Sequence, residues 1–93
     1  MKAEISEKNV WVRETRPDIL MADCEKRLRE SGFKIVNQVT HFFSPQGFTA
    51  VFVLAESHLS IHTFPEEDKS YIQLSSCNKA YFEAFWGGSW VIC

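Results

Sequence analysis

The most constraining feature of this chain is a segment near its middle in which polar and apolar side chains alternate. Leu59 and Ile61 fall on one side of an extended strand, and His58, Ser60 and His62 fall on the other, because successive strand side chains point to opposite faces. A strand with one apolar face has to lie in a sheet whose core covers that face. The pattern therefore predicts a half-buried strand whose second face carries hydroxyl and imidazole groups, a composition that favours chemistry over packing.

The other strand candidates fit the same sheet; they are residues 9–14, 33–43, 48–55 and 71–77. Residues 48–55 are almost wholly apolar, which indicates a central strand, and they lead directly into the alternating segment. In the second candidate, Phe33, Ile35 and Val39 are predicted to share the apolar face. The residues 44–47 and 66–69 are predicted to form turns.

Two helices complete the predicted fold. Thr15 and Pro17 are typical of a helix start, and Gly32 is typical of a left-handed C-terminal cap. Between them, apolar residues recur at i+4 intervals and predict one buried face: Leu20, Cys24 and Leu28. A shorter helix is predicted over residues 78–85, broken by Gly87-Gly88. These elements predict an α+β fold, a two-layer sandwich of one antiparallel sheet of four to five strands with helices packed on one face.

Size and charge limit the classes of function. The 93 residues are predicted to form a single domain, and 45% hydrophobic content excludes a disordered chain. A formal net charge of −2, with scattered basic residues, argues against a nucleic-acid partner. No apolar run is long enough to span a membrane, so we expect no membrane partner.

The polar start of the chain lacks the apolar core of a signal peptide, which predicts a cytoplasmic protein. The three cysteines, Cys24, Cys77 and Cys93, are widely spaced and include no CxxC pair, so free thiols are predicted.

Three groups of residues together resemble a known family. They are Phe43-Ser44-Pro45-Gln46-Gly47, the alternating segment from Ala55 to Glu66, and Ser75-Ser76-Cys77. The chain is similar there to the short bacterial and archaeal S-adenosylmethionine decarboxylases, enzymes that produce their own pyruvoyl cofactor by cutting the chain at a Glu-Ser bond. Both ends of the chain depart from that family.

The resemblance implies self-cleavage between Glu56 and Ser57, which would give fragments 1–56 and 57–93. Ser57 would attack the preceding carbonyl to form an ester, and elimination would leave a pyruvoyl group derived from Ser57. That group would bind the substrate amine as a Schiff base and accept electrons as carbon dioxide leaves. Without the resemblance, the favoured interpretation of Ser57 is a residue that ends a strand or caps a turn.

The resemblance also assigns helpers in processing and turnover. His62 would carry a proton during elimination, with His58 in a supporting role. Thr49 stands where most compared members carry serine, and it keeps the hydroxyl that helps the ester to form. Cys77 would reprotonate the substrate carbon after decarboxylation. A strand histidine and a buried structural cysteine are the plain alternatives for His62 and Cys77.

For substrate binding, the resemblance implies that Phe43 and Phe64 flank an adenine ring and that Glu66 binds ribose hydroxyls. The family usually has Trp in place of Phe64. Core aromatics and a solvated turn carboxylate are the alternatives for these three residues. The implied activity is decarboxylation of S-adenosylmethionine for the biosynthesis of the polyamine spermidine.

Other functions stay open. The same cofactor could serve ornithine or arginine decarboxylation, because some relatives with this self-processing core are thought to act on them. An inactive paralogue acting as a regulatory or interaction subunit is a second alternative. A metal site of His41, His58, His62 and Cys77 is a third, although strict ligand spacing is missing and no metal is predicted.

A homodimer of processed protomers is also predicted. A small chain buries a limited share of its surface, and its C-terminal part carries more aromatic residues than one core needs: Phe82, Phe85, Trp86 and Trp90.

Overall fold

The computed structural model describes residues 4–87. These residues form five strands, two helices and one short turn of 3₁₀ helix after β4. The strands are β1 Ser6–Val12, β2 Ile35–Phe42, β3 Phe48–Leu54, β4 Ser57–Phe64 and β5 Lys69–Ser76, and the helices are α1 Pro17–Ser31 and α2 Lys79–Trp86. All neighbouring strands are antiparallel, in the order β1-β5-β4-β3-β2. The predicted α+β class and five-stranded sheet are therefore confirmed.

One face of the sheet packs on the helices, and the other face carries no helix among the described residues. The shared core contains Leu20, Cys24 and Leu28 of α1 and Phe85 of α2, packed on the sheet residues Val12, Phe48, Ala50, Phe52, Leu54, Leu59, Ile61, Ile72 and Leu74. The alternation in β4 has the predicted orientation, because Leu59 and Ile61 are completely buried in this core. His58, Ser60 and His62 therefore point to the second face, which we call the open face.

Helix α1 begins differently from the prediction. Its N-cap is Arg16 rather than Thr15, and no side chain of the cap bonds to the helix. Instead, the Glu14 carboxylate accepts hydrogen bonds from the backbone N–H groups of Thr15 and Arg16 and from the Arg16 guanidinium. This ion pair and these hydrogen bonds hold the pKa of Glu14 near 2. The C-terminal cap is the predicted one, because Gly32 has a φ of 106°.

Helix α2 has the capping expected of its first residues. The Asn78 side chain accepts a hydrogen bond from the backbone N–H of Tyr81, and Gly87 follows the last turn. Phe85 is buried and meets the Trp86 ring edge-on. Gly88 and Trp90, which the sequence prediction also used, lie outside the described residues.

Strand β2 corrects the prediction for Val39. Val39 is 61% exposed, and every residue of β2 after Ile35 is exposed. The reason is a register shift between Ile35 and Asn37, a β-bulge that reverses the faces of the residues after it. Val39 therefore pairs with Val51 on the open face and does not share the core side of Ile35. Neither α1 nor α2 combines the length and apolar character that a bilayer-crossing helix requires within the described residues.

Candidate active site

The predicted cleavage bond lies in a tight turn at one end of β4. Leu54 of β3 pairs with Ser57 of β4, so Ala55 and Glu56 alone connect the two strands. Glu56 has a φ of 61°, in the left-handed region that costs a residue with a side chain about 1–2 kcal/mol. The Glu56–Ser57 peptide bond therefore begins at a residue with a strained backbone conformation.

The Ser57 hydroxyl is held by β5. Ser57 pairs with Ser76, and Ser57 Oγ donates to Ser76 Oγ over 2.9 Å. Ser76 Oγ in turn donates to the Asn78 carbonyl oxygen at 3.2 Å and accepts from the Asn78 N–H at 2.9 Å. Cys77 follows the last residue of β5 and is exposed. We call this group, Ala55-Glu56 with Ser57, Ser76 and Cys77, the hairpin end.

A cleft lies at the opposite end of β4. Its volume is about 340 Å³, and its lining includes all the predicted substrate-binding residues and two predicted processing residues: Phe43, Phe64, Glu66, Thr49 and His62. These side chains come from the turn before β3, from β3, from the end of β4 and from the 3₁₀ turn. We call this group the cleft end.

Thr49 and His62 are in direct contact within the cleft. The two residues are cross-strand partners in β3 and β4, and the Thr49 hydroxyl lies 3.0 Å from His62 Nδ1. Directly opposed residues of an antiparallel pair bring their side chains together in this way. The hydroxyl therefore fixes the imidazole ring and leaves Nε2 as the ring nitrogen that can act on another group.

Sequence reasoning missed two contributors to this end. Gln46 Nε2 donates to the Glu66 carboxylate at 3.2 Å and orients it, although the sequence suggested only a turn residue. Trp11 lies on the open face with its ring centroid 5.8 Å from that of Phe64, and Lys69 Nζ lies 4.4 Å from the Trp11 ring. The position of Trp11 between Val10 and Val12 could have indicated its face, but not its neighbour.

The two ends do not meet within one chain. Ser57 has the parity of Leu59 and Ile61, so it points toward the helix-covered side, whereas His62 points to the open face. Five residues of strand also separate Ser57 from His62 by about 16 Å. Within residues 4–87 of one protomer, Ser57 and Cys77 therefore do not line the cleft that contains His62 and the predicted substrate-binding residues.

The described cysteines have different surroundings. Cys24 is buried in the core, and its burial raises the pKa of the thiol to about 12. Cys77 is exposed beside the hairpin end. Cys24 is thus an unreactive core residue, as the sequence suggested, and Cys93 lies outside the described residues.

The alternative metal site does not form among residues 4–87, where no three His, Cys, Asp or Glu side chains are grouped to hold an ion. His41 meets the ring of Phe43 edge-on, with centroids 4.5 Å apart. His58 is exposed near the turn, on the face opposite that of Ser57. A second cavity of about 270 Å³ opens beside Glu56 and is lined by Phe33, Lys34 and Tyr81 among others.

Comparison with known proteins identifies similar sequences and folds. The profile of a family described as S-adenosylmethionine decarboxylase matches residues 15–86. An S-adenosylmethionine decarboxylase proenzyme of Prochlorococcus marinus (strain MIT 9313) is 45% identical over 49 residues, which are 53% of this chain and 39% of that protein. A proenzyme of the same name from Clostridium botulinum (strain Hall) is 39% identical over 57 residues, or 61% and 49%. The chain thus spans less than half the length of these curated relatives.

A solved structure has a similar fold. The adenosylmethionine decarboxylase from Aquifex aeolicus VF5 superposes with a TM-score of 0.75 at 20% identity, covering 91% of this chain and 76% of that one. At this identity the similarity concerns the arrangement of sheet and helices.

Proposed function

The chain belongs to the S-adenosylmethionine decarboxylase family, and from that membership we propose that it is a self-processing, pyruvoyl-dependent decarboxylase of S-adenosylmethionine. The observation that carries the proposal is the cleft end. Residues chosen from separate parts of the sequence for substrate binding and processing line one cleft of about 340 Å³ there. That volume lies within the range of small-molecule sites, about 300–1,000 Å³.

Self-cleavage would start at the hairpin end. A bond forms between Ser57 Oγ and the Glu56 carbonyl carbon, and the bond between that carbon and the Ser57 nitrogen breaks. The hydroxyl proton ends on this nitrogen, so the peptide bond becomes an ester without any other reactant. β-Elimination then breaks the ester bond at Ser57 Oγ, which frees fragment 1–56 as a carboxylate and leaves dehydroalanine at the start of fragment 57–93. Water hydrolyses the imine form of this residue to the pyruvoyl group, and the Ser57 nitrogen leaves as ammonia. The left-handed φ of Glu56 in the turn supports this chemistry.

Residues of the hairpin end suit the cofactor that this processing yields. The pyruvoyl group supplies an electrophilic carbonyl that takes up a substrate amine and accepts electrons as carbon dioxide leaves. Cys77 is exposed one residue beyond Ser76, the cross-strand partner of Ser57. A thiol at that place can return a proton to the substrate carbon.

The cleft end would hold the nucleoside part of the substrate. Phe43 and Phe64 offer flat apolar faces to an adenine ring. The Glu66 carboxylate, oriented by Gln46, offers two acceptors to the ribose hydroxyls. The product, decarboxylated S-adenosylmethionine, would serve spermidine biosynthesis. The proposed location is the cytoplasm, where free thiols such as Cys24 and Cys77 stay reduced.

A homodimer would bring the two ends together. His62 and Thr49 lie about 16 Å from Ser57 along the strand direction and on the other face of the sheet. Within one protomer, His62 therefore cannot carry a proton for the ester formed at Ser57. A second copy supplies these residues if its cleft end meets the hairpin end of the first. The exposed apolar side chains of Trp11, Val39 and Val53 on the open face support such a contact.

Mass spectrometry of the freshly purified, denatured protein tests the proposed processing. The wild-type chain should give two fragments, 1–56 and 57–93, whereas Ser57→Ala should remain one chain. Ser60→Ala is the matched control, because Ser60 lies on the same strand but away from the cleavage bond, and it should cleave like wild type. Cleavage that persists in Ser57→Ala would contradict the mechanism.

Turnover is tested separately from processing. Processed protein is incubated with carboxyl-labelled S-adenosylmethionine, ornithine and arginine in separate reactions, and the release of carbon dioxide is measured. We expect release from S-adenosylmethionine. Carbon dioxide release from ornithine or arginine alone would support the pyruvoyl cofactor but contradict the proposed substrate.

A further inference from the structure

Ser76 is the only described hydrogen-bond partner of the Ser57 hydroxyl among residues 4–87. Ser76 is 1% exposed and sits at the end of β5, directly across from Ser57. Its neighbour Cys77 is exposed, so the Ser76 hydroxyl faces the protein interior whereas the Cys77 thiol faces solvent. A buried hydroxyl in contact with the proposed nucleophile needs an explanation that core packing alone does not supply.

The hydrogen bonds around Ser76 fix the direction of the contact. A serine hydroxyl has one proton to donate and two lone pairs to accept with. Ser76 uses its proton on the Asn78 carbonyl oxygen at 3.2 Å and one lone pair on the Asn78 N–H at 2.9 Å. Only the second lone pair is left for Ser57, so Ser57 has to be the donor over the 2.9 Å between the two oxygens.

We propose that Ser76 is the residue that positions the Ser57 hydroxyl for attack on the Glu56 carbonyl carbon. With its proton held toward Ser76, Ser57 Oγ keeps both lone pairs free for that carbon. The hydrogen bond also draws the proton away from the oxygen and makes the oxygen a better nucleophile. The inference rests on the proposed self-cleavage and adds a residue to its first step.

The position of His62 supports a division between two steps. His62 of the same chain lies about 16 Å from Ser57 along β4 and on the other face, so it does not orient the hydroxyl within a protomer. Ser76 would act in ester formation, and His62 would act in the elimination that follows. Cys77, next to Ser76 but exposed, stays available for turnover after the chain has been cut.

Four variants of the full chain test this role. Ser76→Ala removes the acceptor, whereas Ser76→Thr and Ser76→Val form a pair of equal shape that differs in the hydroxyl. Ser75→Ala is the matched control, because Ser75 pairs with His58 rather than Ser57. Cleavage is followed by mass spectrometry after cell-free synthesis. Hydroxylamine treatment reveals any accumulated ester, because it splits esters and leaves the peptide bond intact.

We expect Ser76→Ala to form ester and fragments about 100-fold more slowly than wild type, the size of effect seen when a reacting group is misplaced. Ser76→Thr should cleave much faster than Ser76→Val, and Ser75→Ala should match wild type. No ester should accumulate in Ser76→Ala, since its defect precedes ester formation. Thermal unfolding of Ser57→Ala/Ser76→Ala against Ser57→Ala shows whether the uncut chain still folds.

Other outcomes would overturn the inference. Cleavage of Ser76→Ala at the wild-type rate removes Ser76 from the reaction, and so does an ester that accumulates in this variant. If Ser76→Ala does not fold, Ser76→Thr and Ser76→Val decide the matter: equal cleavage rates in these two variants would show that the hydroxyl of residue 76 has no role in the reaction. A wild-type chain that is never cut would contradict the proposed function itself. If the wild type is cut and the Ser76 variants are cut at the same rate, only the proposed role of Ser76 is wrong.

Discussion

The hairpin end and the cleft end lie on the same strand, yet their chemistry is organised in opposite ways. At the hairpin end, Ser57 is held by a buried hydroxyl beneath a left-handed turn. At the cleft end, Thr49 and His62 form a 3.0 Å contact inside an open cleft with aromatic walls. The hairpin end places the Ser57 hydroxyl next to the Glu56–Ser57 peptide bond, whereas the cleft end offers a cleft in which a ligand can bind.

The separation of the two ends explains why one protomer holds only half of the proposed site. A β-strand holds its residues in fixed places, so Ser57 and His62 cannot approach each other by a small movement of β4. β5 pairs with every residue of β4, and β3 pairs with β4 from Ser57 to Thr63, so the separation between Ser57 and His62 is rigid. The proposed reaction therefore requires either a second protomer or a role for His62 that is independent of Ser57.

A mixture of two inactive chains tests whether the two ends come from different protomers. Ser57→Ala lacks the nucleophile, and His62→Ala lacks the proton carrier, so neither chain alone should yield processed protein. In dimers that contain one copy of each, the Ser57 of one chain meets the His62 of the other. With random pairing, about half of the His62→Ala chains should then be cut, which mass spectrometry of co-expressed chains measures.

Two results would contradict the composite site. One is a co-expressed mixture in which no chain is cut although both variants are folded. The other is a wild-type protein that is monomeric by light scattering at the concentration at which it processes itself. The Ser57→Ala chain expressed alone serves as the control for background cleavage.

Variants at Cys77 and His62 separate processing at the hairpin end from turnover of the substrate. Cys77→Ala should still be cut but should lose about 10²–10⁴-fold in decarboxylation, the usual contribution of a positioned proton donor. His62→Ala should instead accumulate uncut chain or ester. Carbon dioxide release and mass spectrometry measure the two steps on the same sample.

Cys24→Ala is a control for the loss of a thiol as such. Because burial raises the pKa of Cys24 to about 12, its thiol takes no part in proton transfer near neutral pH. Cys24→Ala should therefore lower thermal stability through a core cavity and leave the turnover of folded, processed protein unchanged. Equal turnover by Cys77→Ala and wild type would remove Cys77 from the site.

Much of the fold was predictable because its signals are local. The i+4 spacing of Leu20, Cys24 and Leu28 indicated one helix face, and all three side chains are completely buried. The alternation in β4 likewise indicated which residues face the core. The prediction failed at Val39, which is exposed because a register shift between Ile35 and Asn37 moves it to the open face. At Thr15 the Glu14 carboxylate bonds the backbone instead.

The site was predictable as a set of residues but not as an arrangement. The resemblance implied that Ser57, His62 and Cys77 belong to one site. Strand parity already separates Ser57 from His62, since five positions along a strand reverse the face. The partner of Ser57 was not predictable, because the contact with Ser76 depends on the register between β4 and β5, which no local pattern specifies.

A single aromatic ring in the wall of the cleft end should contribute a modest part of the substrate affinity. If S-adenosylmethionine is the substrate, Phe64→Ala removes one flat face from the adenine and should weaken binding by about 1–3 kcal/mol, the range for losing one stacked base. Titration calorimetry on processed protein measures the change. Ornithine has no base to stack, so any turnover of ornithine should suffer much less from the same substitution.

Phe42→Ala provides a matched control for this loss of an aromatic ring. Phe42 adjoins Phe43 in sequence and is 68% exposed, but it packs on Phe48 at 4.7 Å between centroids and does not line the cleft. Its removal should leave the affinity for S-adenosylmethionine unchanged. Because Phe64 also contacts Trp11, part of any loss could come from a shifted Trp11 ring. Trp11→Ala should then reproduce that part of the loss. If Phe64→Ala leaves the affinity for S-adenosylmethionine unchanged, the nucleoside does not bind at the cleft end, and the proposed cleavage at the hairpin end is unaffected by that result.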